Sequence, residues 1–274
     1  MFTLGSNIVG VDFDHPDNAG LACLLAGLPP ADGGRQLYDL TGRTAGATLA
    51  GGATWSGTPF GQQGLSLAGS QYADAGTLPN AFAAGVTVAA WVNAAAAQTG
   101  SNFYTVVSAR NGADNSTPFS LDVNKGGGKY RFYCNNGGFN VWEGGTPVAG
   151  VWQRVVVAYA PGGPPAVTVN GVPQAVAQTS GGSSPAVLYT ANPLRVGGFF
   201  NSSGADLTWL GQLADVRVYG RGVAPGSAAR DYEWSQDPTR DPRLRRLSTR
   251  SLFVTAAGTP ASSFVPAFAP GWGW

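Results

Sequence analysis

Of the chain's 274 residues only 11% are charged, and sixteen basic against fifteen acidic side chains leave a net charge of +1, so no global field steers it to nucleic acid or an anionic membrane. With 41 glycines, 19 prolines and 43% hydrophobic residues, the composition argues against long helices and against general disorder. Neither a membrane span nor a basic start with an apolar core is found, so no secretory signal is read and synthesis in the cytoplasm is expected.

Residues 1–20 read as an extended N-terminal arm, in which Asp12, Asp14, Pro16 and Asp17 work against regular structure. From residue 21 short strand patterns recur between turn signals. GLACLLAG (20–27) and GLSLAG (64–69) are apolar strands, and VTVAAWV (86–92) alternates Val86, Val88, Ala90 and Val92 against Trp91. PFSLDVN (118–124) pairs with GKYRFYCN (128–135) across the glycines at 126–128, and NNGG (135–138) supplies the next turn. WQRVVVAYA (152–160), AVTVNGVPQ (166–174), PLRVGG (193–198) and GQLADVRVYGRGV (211–223) continue the series. In the last, Ala214, Val216 and Val218 are expected on the buried face. Asp215 and Arg217 would lie opposite, as a surface pair worth at most ~1 kcal/mol. VAPGSAARDYEWS (223–235) is the one helix expected. Alternation with period two, broken by turns at this spacing, predicts an all-β, two-sheet antiparallel sandwich over 21–235.

Residues 236–274 read as a docking tail, basic and then rich in aromatics, Ala and Pro. Arg240, Arg243, Arg245 and Arg246 form its basic run, and Phe264, Phe268, Trp272 and Trp274 are candidate anchors in a larger assembly. Clustered arginines neutralise phosphates, but Asp215, Asp231, Asp237 and Asp241 make local ion pairing an equal reading, so nucleic acid is not the expected partner.

The segments YDLTGRTAGATLAGGATW (38–55), GLSLAG, VTVAAWV, GVWQRVVVAY (150–159), VTVNG (167–171), LRVGG (194–198) and GQLADVRVYGRGV stand in an order that resembles the laminin-G-like, concanavalin A-like lectin/glucanase superfamily. The resemblance implies a jelly-roll sandwich whose relatives bind glycans, proteins or calcium, serve as structural modules, or in a minority of cases hydrolyse glycosides.

Chemistry is sparse. A glycosidase needs two carboxyls roughly 5–9.5 Å apart. The only glutamates, Glu143 and Glu233, are ninety residues apart, and no strand carries acids at alternate positions, so catalysis is not expected. His15, the sole histidine, reads as a solvated loop residue, and KGGGK (125–129) lacks the pattern of a phosphate loop. Cys23 and Cys134 read as buried thiols. DFDHPDN (12–18) offers closely spaced oxygens for calcium, against the reading of a plain polar arm. Asp114 and Asn115 on one loop, with Asn201, Asp206 and Trp209 on another, are the residue types of a sugar or calcium site, though turns favour the same types. The reading is a non-catalytic structural or adhesion module on a larger particle, such as a phage virion decoration, spike or tail protein, bound through its terminal arms and in contact with surface glycans. The alternative is a free-standing lectin, with or without the assistance of calcium.

Overall fold

Valine or alanine at every second position gives the strand at 86–94 one continuous apolar face, and the architecture is laid out around it. The computed structural model describes residues 8–26, 36–78, 82–98, 103–109, 118–124, 126–135, 138–187, 192–199, 208–237 and 240–247. In chain order the strands begin with β1 (Ile8–Val11), β2 (Leu21–Ala26), β3 (Gln36–Asp39), β4 (Ala47–Ala50), β5 (Thr54–Gly57) and β6 (Gln63–Ala68). Next come β7 (Tyr72–Thr77), β8 (Val86–Ala94), β9 (Tyr104–Ser108), β10 (Ser120–Val123), β11 (Tyr130–Asn135) and β12 (Phe139–Glu143). The series ends with β13 (Trp152–Tyr159), β14 (Ala166–Val169), β15 (Val172–Gln174), β16 (Ala177–Ser180), β17 (Pro193–Val196), β18 (Leu210–Tyr219) and β19 (Leu244–Leu247). One helix, α1 (Pro225–Ser235), lies between β18 and β19.

Two antiparallel sheets result. The first runs β5–β6–β18–β8–β13–β14–β15, with β2 taking over from β6 along the second half of β18. The second runs β3–β4–β7–β17–β9–β10–β11–β12–β16. β3 also pairs with β2, which closes one corner of the sandwich. The loop after it is wound on Asp39, whose carboxylate accepts from the backbone amides of Leu24, Thr41 and Thr44 at 2.9–3.1 Å. Between the sheets Val86, Val88, Val155 and Val157 meet Leu121, Phe132, Trp142 and Leu194 in one core. Cys23 and Cys134 are buried free thiols in that core, and burial pushes the Cys134 thiol up to about 12.

The two faces of β18 are not those expected from simple alternation. Its register against β8 slips between Ala214 and Arg217, and Asp215 sits there in the left-handed region at φ 43°. This is a β-bulge, in which one extra residue shifts the parity of everything after it. Leu213 faces the core before the bulge, and Val216 and Val218 face it afterwards. Ala214 lies instead opposite Trp91, outside the inter-sheet core.

The outer face of the first sheet is covered. Ala228 of α1 packs on Ala89 and Val156, and Phe60 stacks on Trp91 with centroids 4.0 Å apart. The N-terminal arm is also more regular than its composition suggested. β1 pairs with β19 from Ile8↔Leu247 to Val11↔Leu244, and a short 3-10 turn follows at Pro16–Asn18. The Asn18 amide donates to the carbonyls of Asp12 and Arg243, both at 2.8 Å, and so satisfies backbone groups of both terminal segments. Among the described residues no helix is long and apolar enough to cross a membrane.

Candidate functional site

The outward positions of the second sheet carry a charged and hydroxylic layer, with Thr105, Ser108 and Asp122 fully buried beneath a rim of partly exposed side chains. Asp122 of β10, Arg131 of β11 and Glu143 of β12 stand side by side in register. Arg131 donates from Nε and Nη2 to the Asp122 carboxylate at 2.6 and 2.8 Å, and its guanidinium lies 3.7 Å from the centroid of the Phe103 ring. Burial works to lower the Arg131 pKa, but Asp122 and then Glu143 raise it above its ordinary value. Asn124 donates to Glu143 at 2.6 Å. Towards the other edge Arg195 of β17 donates to Asp74 of β7 at 3.3 Å and lies over Tyr72. Between the two ion pairs, the buried hydroxyls of Thr105 and Ser108 have no protein partner. The floor is buried, while Phe103, Tyr104, Asn124 and Glu143 are partly exposed and Phe139 is 45% exposed. Planar polar groups beside a partly exposed aromatic ring such as Phe139 are the materials of carbohydrate recognition.

On the opposite side of the molecule six charged residues are buried together. Asp215 and Arg217 form a two-bond pair at 2.8 and 2.9 Å, and Asp241 and Arg243 form another at 2.8 and 2.7 Å. Arg154 donates from Nε to Asp231 at 2.6 Å and from Nη1 to the Asp215 carbonyl at 2.7 Å. Arg217 reaches Asp241 at 3.1 Å, and Arg243 reaches Asp231 at 2.5 Å. Burial works to raise the Asp231 pKa, but Arg154, Arg243 and Arg217 together hold it well below the usual carboxylate range. Asp241, where burial is likewise overcome by Arg217 and Arg243, is held at about 2. Three cations against three anions make the cluster neutral, and its paired geometry is that of a structural lock. The adjoining cavity, lined in part by Asp17, Thr87, Asp231 and Arg243, measures about 10 Å³, room for one water and no sugar.

Several residues singled out from sequence stand elsewhere than expected. Trp209 is fully buried in the inter-sheet core and offers no platform to a sugar. Asp215 and Arg217 are interior rather than superficial, and Arg243 is a buried partner of Asp231 and Asp241 rather than an open docking cation. The local ion pairing weighed against nucleic acid is therefore present for Asp215, Asp231 and Asp241. Arg240 is open and pairs with Asp237 at 3.3 Å. Arg245 and Arg246 lie on β19 opposite Gly10 and Val9. Asp114, Asn115, Asn201, Asp206, Phe264, Phe268, Trp272 and Trp274 lie outside the described residues. His15 is half-buried, edge-on to Trp234 at 5.5 Å, and its ring accepts from the Asp17 amide. Asp17 is engaged by Arg230 and Ser227, and among the described residues no group of three or more His, Cys, Asp or Glu is placed to hold a metal ion. Asn124, Arg131, Phe139 and Glu143 were not singled out as binding residues. They come from three segments, and only the cross-strand register brings them together. The lock did have a signal: Asp-x-Arg occurs at 215–217 and again at 241–243.

Two antiparallel sheets, with one outer face covered and the other polar, define a sandwich of the lectin class. The chain belongs to the concanavalin A-like lectin/glucanases superfamily, whose profile matches residues 67–226. A search of curated proteins returned no match. Among solved structures, domain 4 of an extracellular GH43 arabinanase from Geobacillus stearothermophilus, solved with arabinotriose, is similar at a TM-score of 0.54 and 16% identity. The match covers 77% of this chain and 98% of that one. A Trypanosoma rangeli sialidase in complex with sialic acid matches at 0.54 and 17% over 78% of this chain, but over only 32% of its own length. The botulinum neurotoxin type G receptor-binding domain matches at 0.52 and 13%, over 78% of this chain and 51% of that one. At these identities the likeness is one of fold.

Proposed function

We propose that the chain is a non-catalytic carbohydrate-binding module, displayed by a larger assembly, that reads glycans with the outer face of its second sheet. The observation that carries this reading is the asymmetry of the two faces. The first sheet is occupied by α1, Phe60 and the terminal strands, whereas the second presents Phe103, Asn124, Phe139 and Glu143 around a charged and hydroxylic floor. The arabinotriose bound to the arabinanase domain supports the ligand class by analogy of fold. Against catalysis, Glu143 stands on the second sheet and Glu233 on α1 across the molecule. Asp122 and Glu143 have Arg131 between them, where a water or sugar oxygen would have to stand. Display is supported by the pairing of Ile8 with Leu247, which brings chain entry and exit together on the side of the first sheet.

The test is a glycan array on the full chain, with and without chelator, followed by titration of the best glycan. Phe139→Ala and Asn124→Ala are each expected to weaken binding about tenfold, since one lost aromatic or hydrogen-bonded contact is worth on the order of 1.4 kcal/mol. Their unfolding midpoints should match the parent. A flat array, or full binding in both variants, would remove the second sheet from consideration.

A further inference from the structure

The buried lock joins two bodies that are each internally paired and opposite in net charge. Arg154, Asp215 and Arg217 belong to β13 and β18 and together carry one positive charge. Asp231, Asp241 and Arg243 belong to α1 and the turn before β19 and together carry one negative charge. Within the first body Arg217 keeps two bonds to Asp215. Within the second, Arg243 keeps two bonds to Asp241 and one to Asp231. The hydrogen-bonded side-chain pairs that cross are Arg154 to Asp231 and Arg217 to Asp241.

We propose that α1, the turn at 241–243 and the β1–β19 ribbon form a single clasp that opens and closes on the first sheet as one unit, with the Arg154–Asp231 and Arg217–Asp241 bonds as its catch. Three further observations converge on this unit. The inter-sheet core contains no residue from 8–20 or from 225–247, so it stays complete when the clasp leaves. The parts of the clasp are tied to one another, by four register pairs between β1 and β19 and by Asn18 bridging Asp12 and Arg243. Its apolar seat is made of Val11 and Leu244 against Leu21, Leu24 and Tyr219, of Ala228 on Ala89 and Val156, and of Tyr232 beside Trp91, and Arg221 adds two hydrogen bonds to the carbonyls of Pro16 and Ala19. A segment with its own hydrogen bonds, an apolar seat outside the main core and a separable ionic seam is what opens below the global unfolding free energy. On opening, Asp215–Arg217 and Asp241–Arg243 enter water still paired, and the outer face of the first sheet around Val156 and Tyr219 is uncovered.

Hydrogen exchange of the full chain, followed by mass spectrometry through sub-denaturing urea, tests this. Amides of 8–11 and 244–247 are expected to share one opening equilibrium, at least tenfold more open than that of 86–94 and 152–159, with a weaker urea dependence. Asp241→Asn should then raise exchange in both clasp segments about tenfold or more, with 86–94 and 152–159 still exchanging only through a separate, rarer and more urea-dependent opening. Three results would overturn the proposal: β1 and β19 exchanging independently, clasp and sandwich sharing one opening at every urea concentration, or Asp241→Asn leaving exchange of 8–11 and 244–247 unchanged. The wild-type urea series decides even if that variant fails to fold.

Discussion

Asp231 and Asp241 carry charge in a place where burial alone would neutralise them. Each is held ionised by more than one guanidinium, and removing the charge from either strands an arginine in the interior. Breaking a buried pair in this way costs about 3–5 kcal/mol. Asp241→Asn should therefore lose stability on that order at pH 7, read by urea unfolding. The pH dependence follows from the same contacts. Asp241 is depressed to about 2 in the folded chain, below an unfolded value of about 3.9, so its contribution is complete above pH ~4 and is lost as pH falls through ~2. Wild-type stability should fall across that window, and Asp241→Asn should flatten the fall. Tyr130 and Cys134 are different: burial leads the upward shift of both, as it does for groups kept neutral in an apolar core.

β18 gathers the elements into one fold, pairing with β2, β6 and β8 and carrying two of the three lock residues of its sheet. At its start Gly211 has φ 130°, and an added Cβ would lie 2.0 Å from the Asn93 carbonyl oxygen. Gly211→Ala should accordingly cost on the order of 3 kcal/mol or more, or prevent soluble expression, as a thermal melt of the purified chain would record. The strand at 86–94 was legible because one face is strictly apolar and long enough to establish the period, and that at 152–159 because of its run of valines. β1 was hidden by aspartates just beyond it, and β16 by its full exposure, which leaves no alternation to read. The bulge at Asp215 has no local signature, so the reading of faces along 211–219 failed at that residue. The candidate face was illegible for a related reason: Arg131 meets Asp122 and Glu143 through hairpin register, which depends on turn geometry more than on composition.

At the scale of the molecule, residues 8–20 and 225–247 contribute nothing to the inter-sheet core, so the sandwich and the terminal elements can be separated by truncation. A chain ended after residue 250 is expected to keep its melting temperature within a few degrees. One ended after Gln236 loses Asp241 and Arg243, which should destabilise it by several kcal/mol and deprive β1 of its strand partner. Calorimetry of the two chains distinguishes these outcomes, and a collapse of the first would mean that 251–274 completes the core. The Ile8–Leu247 pairing has one more consequence, for chain connectivity. Directly opposed residues of an antiparallel pair lie about 5 Å apart, a gap that a few glycines span. Joining residue 247 to residue 8 and opening the chain between Gly126 and Gly127, in an exposed turn, should give a circular permutant with the circular dichroism of the parent. In this protein the order in which the strands are synthesised is then separable from the order in which they lie.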